Sequence, residues 1–559
     1  MTDARRLADR FHERWLQVHP FAASMYGISG YDHLVPDDSE AGDSTWRQEV
    51  EAILASADQL ADQAPKPGGS IDDRVTLGCL RSAARQELDA IDSAAIEHAV
   101  SAMPFVDPAS FLAVAARTVL LDGRAADDYV ARLEAAGPWI DQLSGRLRSG
   151  AAKGRTSVAP LVRQAVEWAD ELLSDPVPAA LLAPQAPAGW DGQAAWEERR
   201  SAAASGSVRP ALARWRATLL ELLPSSRDAD HGGLCHLPGG EEDYARAIRV
   251  HTTLPLTSEQ LHRTGLEEIA GLEARALELG ASLGLRDLES VYGALRASAG
   301  ATSPQESMAR AEAAVRRAEA AAPDVFPPPL PLPCEVTPMP PVVARARTAP
   351  HYTPPRLDGG RAGTFWFNTE CPTAGTGWDL EVVAFHEAVP GHHLQLSRLQ
   401  MLDDLPALQR QRSITVFSEG WGLYAEQLAE EAGLYLDERS LLGAVSASLM
   451  RACRLVVDTG LHAFGWTRDR ALDFYRAHAP MPIEFLAAEI DRYLVMPGQA
   501  LSYLTGKLEI LRLRRIAGAE LGSRFTLLAF HSALLDRGSL PMPVLAETLD
   551  AWTASQLAS

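Results

Sequence analysis

The run PDVFPPPLPLPCEVTPMPP, residues 323–341, is where this chain cannot be helical. Each proline locks φ near −65° and lacks an N–H, so a run this dense is extended or polyproline-like. The sequence on either side favours helix. Ala, Leu, Arg and Glu dominate, and RLADRFHERWLQ and ESVYGALRASA carry apolar residues at three- and four-residue spacing. Thr257 or Ser258, ahead of Glu259 and Gln260, supplies an N-cap for the helical run after it. TFWFN, at 364–368, has β-favouring content. The expectation is a mainly α protein with a small β element near 335–370, a sheet whose edge could hold an extended peptide. An N-terminal helical region spans 1–240, and a second region spans 241–559 and includes the segment 323–370. DPVPAALLAPQAPAGW predicts a loop or subdomain junction within 176–210.

With 559 residues and 47% hydrophobic content the chain can bury a large interior. Its net charge of −21 repels phosphate backbones, so nucleic acid is not an expected partner. The first residues, MTDARRLADRFHERW, contain no apolar signal core, and no run of about 20 apolar residues predicts a membrane span. The five cysteines, Cys79, Cys235, Cys334, Cys371 and Cys453, are scattered and form no CxxC pair. Reduced thiols in a cytoplasmic protein are the expectation.

The chemistry concentrates in AFHEAVPGHHLQL, residues 384–396. Zinc takes imidazole nitrogens and a carboxylate, and a catalytic site leaves one position open for water. His386, His392 or His393, and Glu419 supply such a set; manganese, iron and cobalt accept the same donors. Glu387, next to His386, is placed to take a proton from that water. The spacing is not HExxH, because Pro390 stands four residues after His386. In a regular helix neither later histidine could share a metal with His386. Pro390-Gly391 supplies a distortion, and a two-residue bulge there favours His392 over His393. Glu419 follows in ITVFSEGWGLYAEQLAEE; Glu426, seven residues on and on the same face, is either a carboxylate orienting a histidine or a solvated acid. Trp421 and Tyr424 read as core or pocket wall.

Farther on, Tyr503, Tyr493 and His462 are candidate donors to an oxyanion. Arg492 is a candidate fork for a substrate carboxylate. Each has an ordinary alternative as a buried structural hydrogen bond or ion pair.

HEAVPGHHLQ, SEGWGLYAE, RLVVDTGLHAFGWT and RYLVMPGQALSY resemble the signature segments of a large bacterial family, domain of unknown function 885. VHPFAASMYGISGYDHLVPD, LPGGEEDYARAIRVHTT and FHSALLDRGSLP extend the resemblance along the chain. The family in turn resembles helical zincin peptidases such as the oligopeptidases and angiotensin-converting enzyme. That resemblance implies two helical halves around a deep cleft, with His386 and His392 as histidine ligands, Glu387 as general base and Glu419 as third ligand. It implies a zinc-dependent hydrolase of short peptides or small amides. The charge and the lack of a long apolar run set the expectation of no nucleic acid or membrane partner, and a monomer or homodimer is expected. The alternatives are a repurposed metalloenzyme acting as Lewis acid on a non-peptide metabolite, and a metal-stabilised binding protein without turnover.

Overall fold

Three successive helices start at caps that the sequence supplies. Thr257 caps the helix Ser258–Ser282 by accepting from Gln260 N, and the Gln260 side chain accepts from Thr257 N. Asp287 and Ser303 close the same reciprocal box ahead of Leu288–Ala297 and Pro304–Val325, each such cap worth about 1 kcal/mol. The structure is a computed structural model describing residues 1–63, 71–298, 303–331, 333–339, 350–355, 362–369 and 377–558. Cys371 lies outside these residues. The fold is mainly α, as expected, with one small sheet.

Three apolar clusters form the interior. The first joins residues 4–84 to residues 311–549. The second joins Val106, Val158 and Leu161 to residues 234–504. The third is built wholly from residues 100–219. The expected division at residue 240 is therefore not where the cores divide. The N-terminal helices pack on the C-terminal ones, and Thr76 bonds Gln409 (2.9 Å) while Arg412 pairs with Glu87 (2.9 Å). The stretch 176–210 is likewise no bare junction. Leu181 and Trp196 are buried in the third cluster, and Trp196 Nε1 donates to Ala126 O at 2.8 Å.

The helix Pro304–Val325 runs through Pro323 and takes in the first three residues of the proline-dense run, 323–325. The pyrrolidine sits in the last turn, and the Phe326 N–H still reaches Ala322 O at 2.9 Å. The sheet then forms from β1 (Glu335–Pro338), β2 (His351–Thr353) and β3 (Thr364–Phe367) in the order β1-β3-β2. β1 runs parallel and β2 antiparallel to β3. Phe365 and Phe367 anchor it in the first apolar cluster.

Among the described residues one helix, Glu438–His462, is long and apolar enough to cross a membrane by composition, and 78% of its most apolar window is buried inside the protein. The helix Thr415–Glu431 crosses Ser502–Leu521 at two glycines. A Cβ on Gly420 would lie 2.5 Å from Gly506 Cα, and one on Gly506 would lie 2.0 Å from Val416 O. Only glycine at both positions permits that approach, and it brings Tyr503 toward Glu419.

Candidate metal centre

The expected bulge in one helix is instead a break between two. Leu380–Glu387 ends at Glu387, and a new helix, His392–Gln400, begins at His392. Pro390 has no N–H to continue the ladder. Gly391 backs so closely on the first helix that a Cβ there would lie 1.8 Å from His386 O. Trp421 packs on the break, and its Nε1 donates to Pro390 O (3.0 Å) and Gly391 O (3.1 Å), the second of which also accepts from Gln395 N (3.2 Å). Two short helices can aim His386 and His392 independently, which one bulged helix could not do so freely.

The rings of His386 and His392 meet edge to face, centroids 4.7 Å apart. Glu419 Oε2 lies 3.5 Å from His386 Nε2 and 3.6 Å from His392 Nε2. The three donor atoms all fall within 4.8 Å of one another. Ligand atoms about 2.0–2.1 Å from a tetrahedral ion stand roughly 3.3 Å apart, so the donor set fits a zinc-sized ion. Gly422, one turn beyond Glu419, makes room for the His386 ring. A Cβ there would lie 2.5 Å from His386 Cε1.

The local electrostatics favour a cation. Burial alone would lower the His386 pKa, but hydrogen bonds with Glu419 and Glu426 and the charge of Glu387 raise it to about 9. Burial alone would raise Glu419; the two histidines hold it well below the usual carboxylate range. Glu426 is buried, not a solvated surface acid. Its Oε1 lies 2.8 Å from His386 Nδ1, and Arg451 pairs with it at 3.4 Å. This leaves His386 Nε2 turned toward Glu419 and His392.

Glu387 points elsewhere than Glu419. Its Oε2 accepts from Tyr352 N on β2 at 2.8 Å, which puts the small sheet beside the cluster. His393 is not in the cluster: Tyr352 OH stands 3.0 Å from its Nδ1, with Ser397 Oγ at 3.4 Å.

Of the downstream candidates, Tyr503 stands nearest this chemistry. Burial first, then the negative charge of Glu419, raise its phenol pKa, so it remains a donor at neutral pH. His462 is corrected from candidate oxyanion donor to structural residue. Fully buried, it has Leu234 N at 3.1 Å from Nδ1 and Tyr493 O at 3.0 Å from Nε2, so neither ring nitrogen has a bond to spare. Burial pushes its pKa down to about 3. The Arg492 fork is closed on Glu489 through Nε (3.1 Å) and Nη2 (2.8 Å). Tyr493, also fully buried, donates to Glu489 Oε2 (2.9 Å) and meets Tyr475 OH (2.7 Å). Both belong to one internal network.

Sequence reasoning missed Arg451 and Arg454. The signal was available: two arginines three residues apart in an otherwise apolar helix need buried partners. A cavity of about 1040 Å³ is not the cleft expected around His386 and Glu419. It lies between the N-terminus, residues 73–89, residues 249–255 and residues 541–547.

Among solved structures, the chain is similar to the putative lipoprotein from Colwellia psychrerythraea, with a TM-score of 0.88 and 26% identity over 99% of each chain. It shares its fold with a putative lipoprotein of unknown function from Shewanella oneidensis, with a TM-score of 0.73 and 16% identity over 98% of this chain and 99% of that one. No curated protein matches it. The family described as bacterial protein of unknown function, DUF885, matches residues 20–549. With a match running almost from end to end, the chain belongs to the DUF885 family.

Proposed function

We propose that this protein is a metal-dependent hydrolase of peptide or amide bonds, acting on short peptides or small amides in the cytoplasm, with zinc as the resident ion. The observation that carries the reading is the convergence of His386 Nε2, His392 Nε2 and Glu419 Oε2 within 4.8 Å. A divalent ion held there supplies Lewis acidity toward a water or a carbonyl oxygen.

The protein's own groups have separate tasks in this reading. Glu426 holds His386 in one orientation through Nδ1. Tyr352 N holds Glu387 Oε2, so Oε1 takes the proton from the attacking water and passes it to the leaving amine. The phenol of Tyr503 donates to the oxygen on which negative charge develops. A base held by main chain beside three convergent donors supports catalysis over a purely structural site, which ordinarily has four protein ligands and needs no base.

The test is elemental analysis of gently purified protein, paired with turnover on a panel of short peptides and N-acyl amides. About one metal per chain and hydrolysis that chelation abolishes are expected. Glu419→Ala should lose the metal. A variant that keeps its full metal content would remove Glu419 from the donor set, and a panel with no metal-dependent hydrolysis would overturn the reading.

A further inference from the structure

The long helix Glu438–His462 carries two arginines one turn apart. Arg451 pairs with Glu426 behind His386 at 3.4 Å. Arg454 shares one carboxylate, Glu489, with Arg492. Arg454 Nη2 reaches Glu489 Oε2 at 2.7 Å, and Arg492 takes both oxygens. Two guanidinium groups therefore face one carboxylate. Asp458 does not make up the difference, because burial raises its pKa to about 7 and its oxygens already accept from Tyr244 OH (2.7 Å) and Gly498 N (3.1 and 3.2 Å).

The Arg454 side chain is only 8% exposed. Among the described residues it makes that single hydrogen bond, and its buried Nε has no partner. A buried guanidinium with donors unused is costly unless something else completes its shell. Its plane lies over the ring of Tyr503, Cζ 4.3 Å from the centroid, and Tyr503 in turn feels the charge of Glu419. The spare positive charge thus sits one aromatic ring away from the candidate metal centre.

We propose that Arg454 is a substrate anchor: it receives a carboxylate of the molecule bound at the His386–His392–Glu419 centre. The preferred substrates are then short peptides or acyl amino acids with a free carboxylate, not neutral amides. Glu489 and Arg492 act as positioning residues, the first holding Arg454 through Nη2 while its Nε stays without a partner, the second occupying the rest of that carboxylate. Arg492, the earlier candidate for this task, has its own fork closed on Glu489. Arginine suits the role because its planar fork matches a carboxylate. A site built around such a bond rejects an analogue that lacks the partner group.

This inference rests on the hydrolase reading for the location of the substrate, but its test does not depend on turnover. Binding of N-acetyl-alanyl-alanine and of its C-terminal amide is measured by calorimetry on the full chain, with zinc supplied and with metal removed by chelation. The free acid should bind at least tenfold more tightly than the amide in both conditions. Arg454→Gln should abolish that preference, and Arg454→Lys should keep part of it. Equal binding of acid and amide to the unaltered protein, no binding of the acid, or a full preference surviving in a folded Arg454→Gln protein would each overturn the proposal. Should Arg454→Gln not fold, the comparison on the unaltered protein and on Arg454→Lys still decides. An acid preference without any metal-dependent hydrolysis would refute the hydrolase reading and leave the anion site standing.

Discussion

The helix Glu438–His462 bears on two buried histidines, His386 through Arg451 and Glu426 at its middle and its own last residue His462, and the two are treated oppositely. At the middle, Arg451 steadies Glu426, which bonds His386 Nδ1 and leaves Nε2 facing Glu419. At the end, His462 spends both nitrogens on the main chain of Leu234 and Tyr493. Carboxylates carry the His386 pKa up to about 9, whereas burial carries His462 down to about 3. A buried imidazole is available for chemistry when a carboxylate orients one nitrogen and the other meets a cluster of donors. It is structural when two backbone groups consume both. Neither burial nor residue type distinguishes the cases; the partners do.

The sharpest way to break this contrast is Glu387→Gln, which keeps the shape and the bond to Tyr352 but removes the basic oxygen. Metal content should stay unchanged while turnover falls on the order of 10²–10⁴-fold; undiminished turnover would mean that Glu387 is not the base. Glu426→Gln comes next. It weakens the hold on His386, and metal affinity should fall about 10–100-fold, read by competition with a chelator. An unaltered affinity would reduce Glu426 to a packing role.

At the other end, His462→Leu should leave metal content untouched and lower stability. It strands the Leu234 N–H and the Tyr493 carbonyl, each at about 1–3 kcal/mol, measured by denaturant unfolding. The pH dependence has a definite sign. The folded pKa is about 3 and the unfolded one about 6.5, so the unfolded chain binds more protons between them. The contribution of His462 is fully present above about pH 6.5 and is lost as pH falls toward 3. The leucine variant should therefore show a flatter decline over that window, and an identical decline would mean that His462 is not buried neutral. The smallest effect belongs to His393→Ala. It loses a contact with Tyr352 worth about 1 kcal/mol and should retain the metal. Loss of the metal would exchange the roles of the two adjacent histidines.

Much of the candidate site was readable. His386, Glu387 and Glu419 stood out in the sequence as candidates by residue type and spacing, and Pro390-Gly391 announced that something interrupts the helix between the histidines. The form of the interruption was not readable. The break is held in part by Trp421, which donates to the Pro390 and Gly391 carbonyls, and Trp421 belongs to a helix about 30 residues away. Glu426 had even odds on sequence alone, because an acid on a helix face carries no mark of burial. Gly422 and Gly506 gave no local sign that they clear space for His386 and for the helix crossing.

The sequence by itself determined the helical character, the position of the small sheet after the prolines, and the types of side chain available for metal binding. These follow from local chemistry, namely proline's missing N–H, the caps, and the donor atoms of His and Glu. The tertiary structure decided which of those side chains share a space. It drew residues 4–84 into a core with 311–549, sent His462 to the backbone, closed Arg492 on Glu489 and left Arg454 with donors to spare. The reason is physical. A polar group's role is set by whether its partners are already taken, and those partners come from segments far apart in the chain.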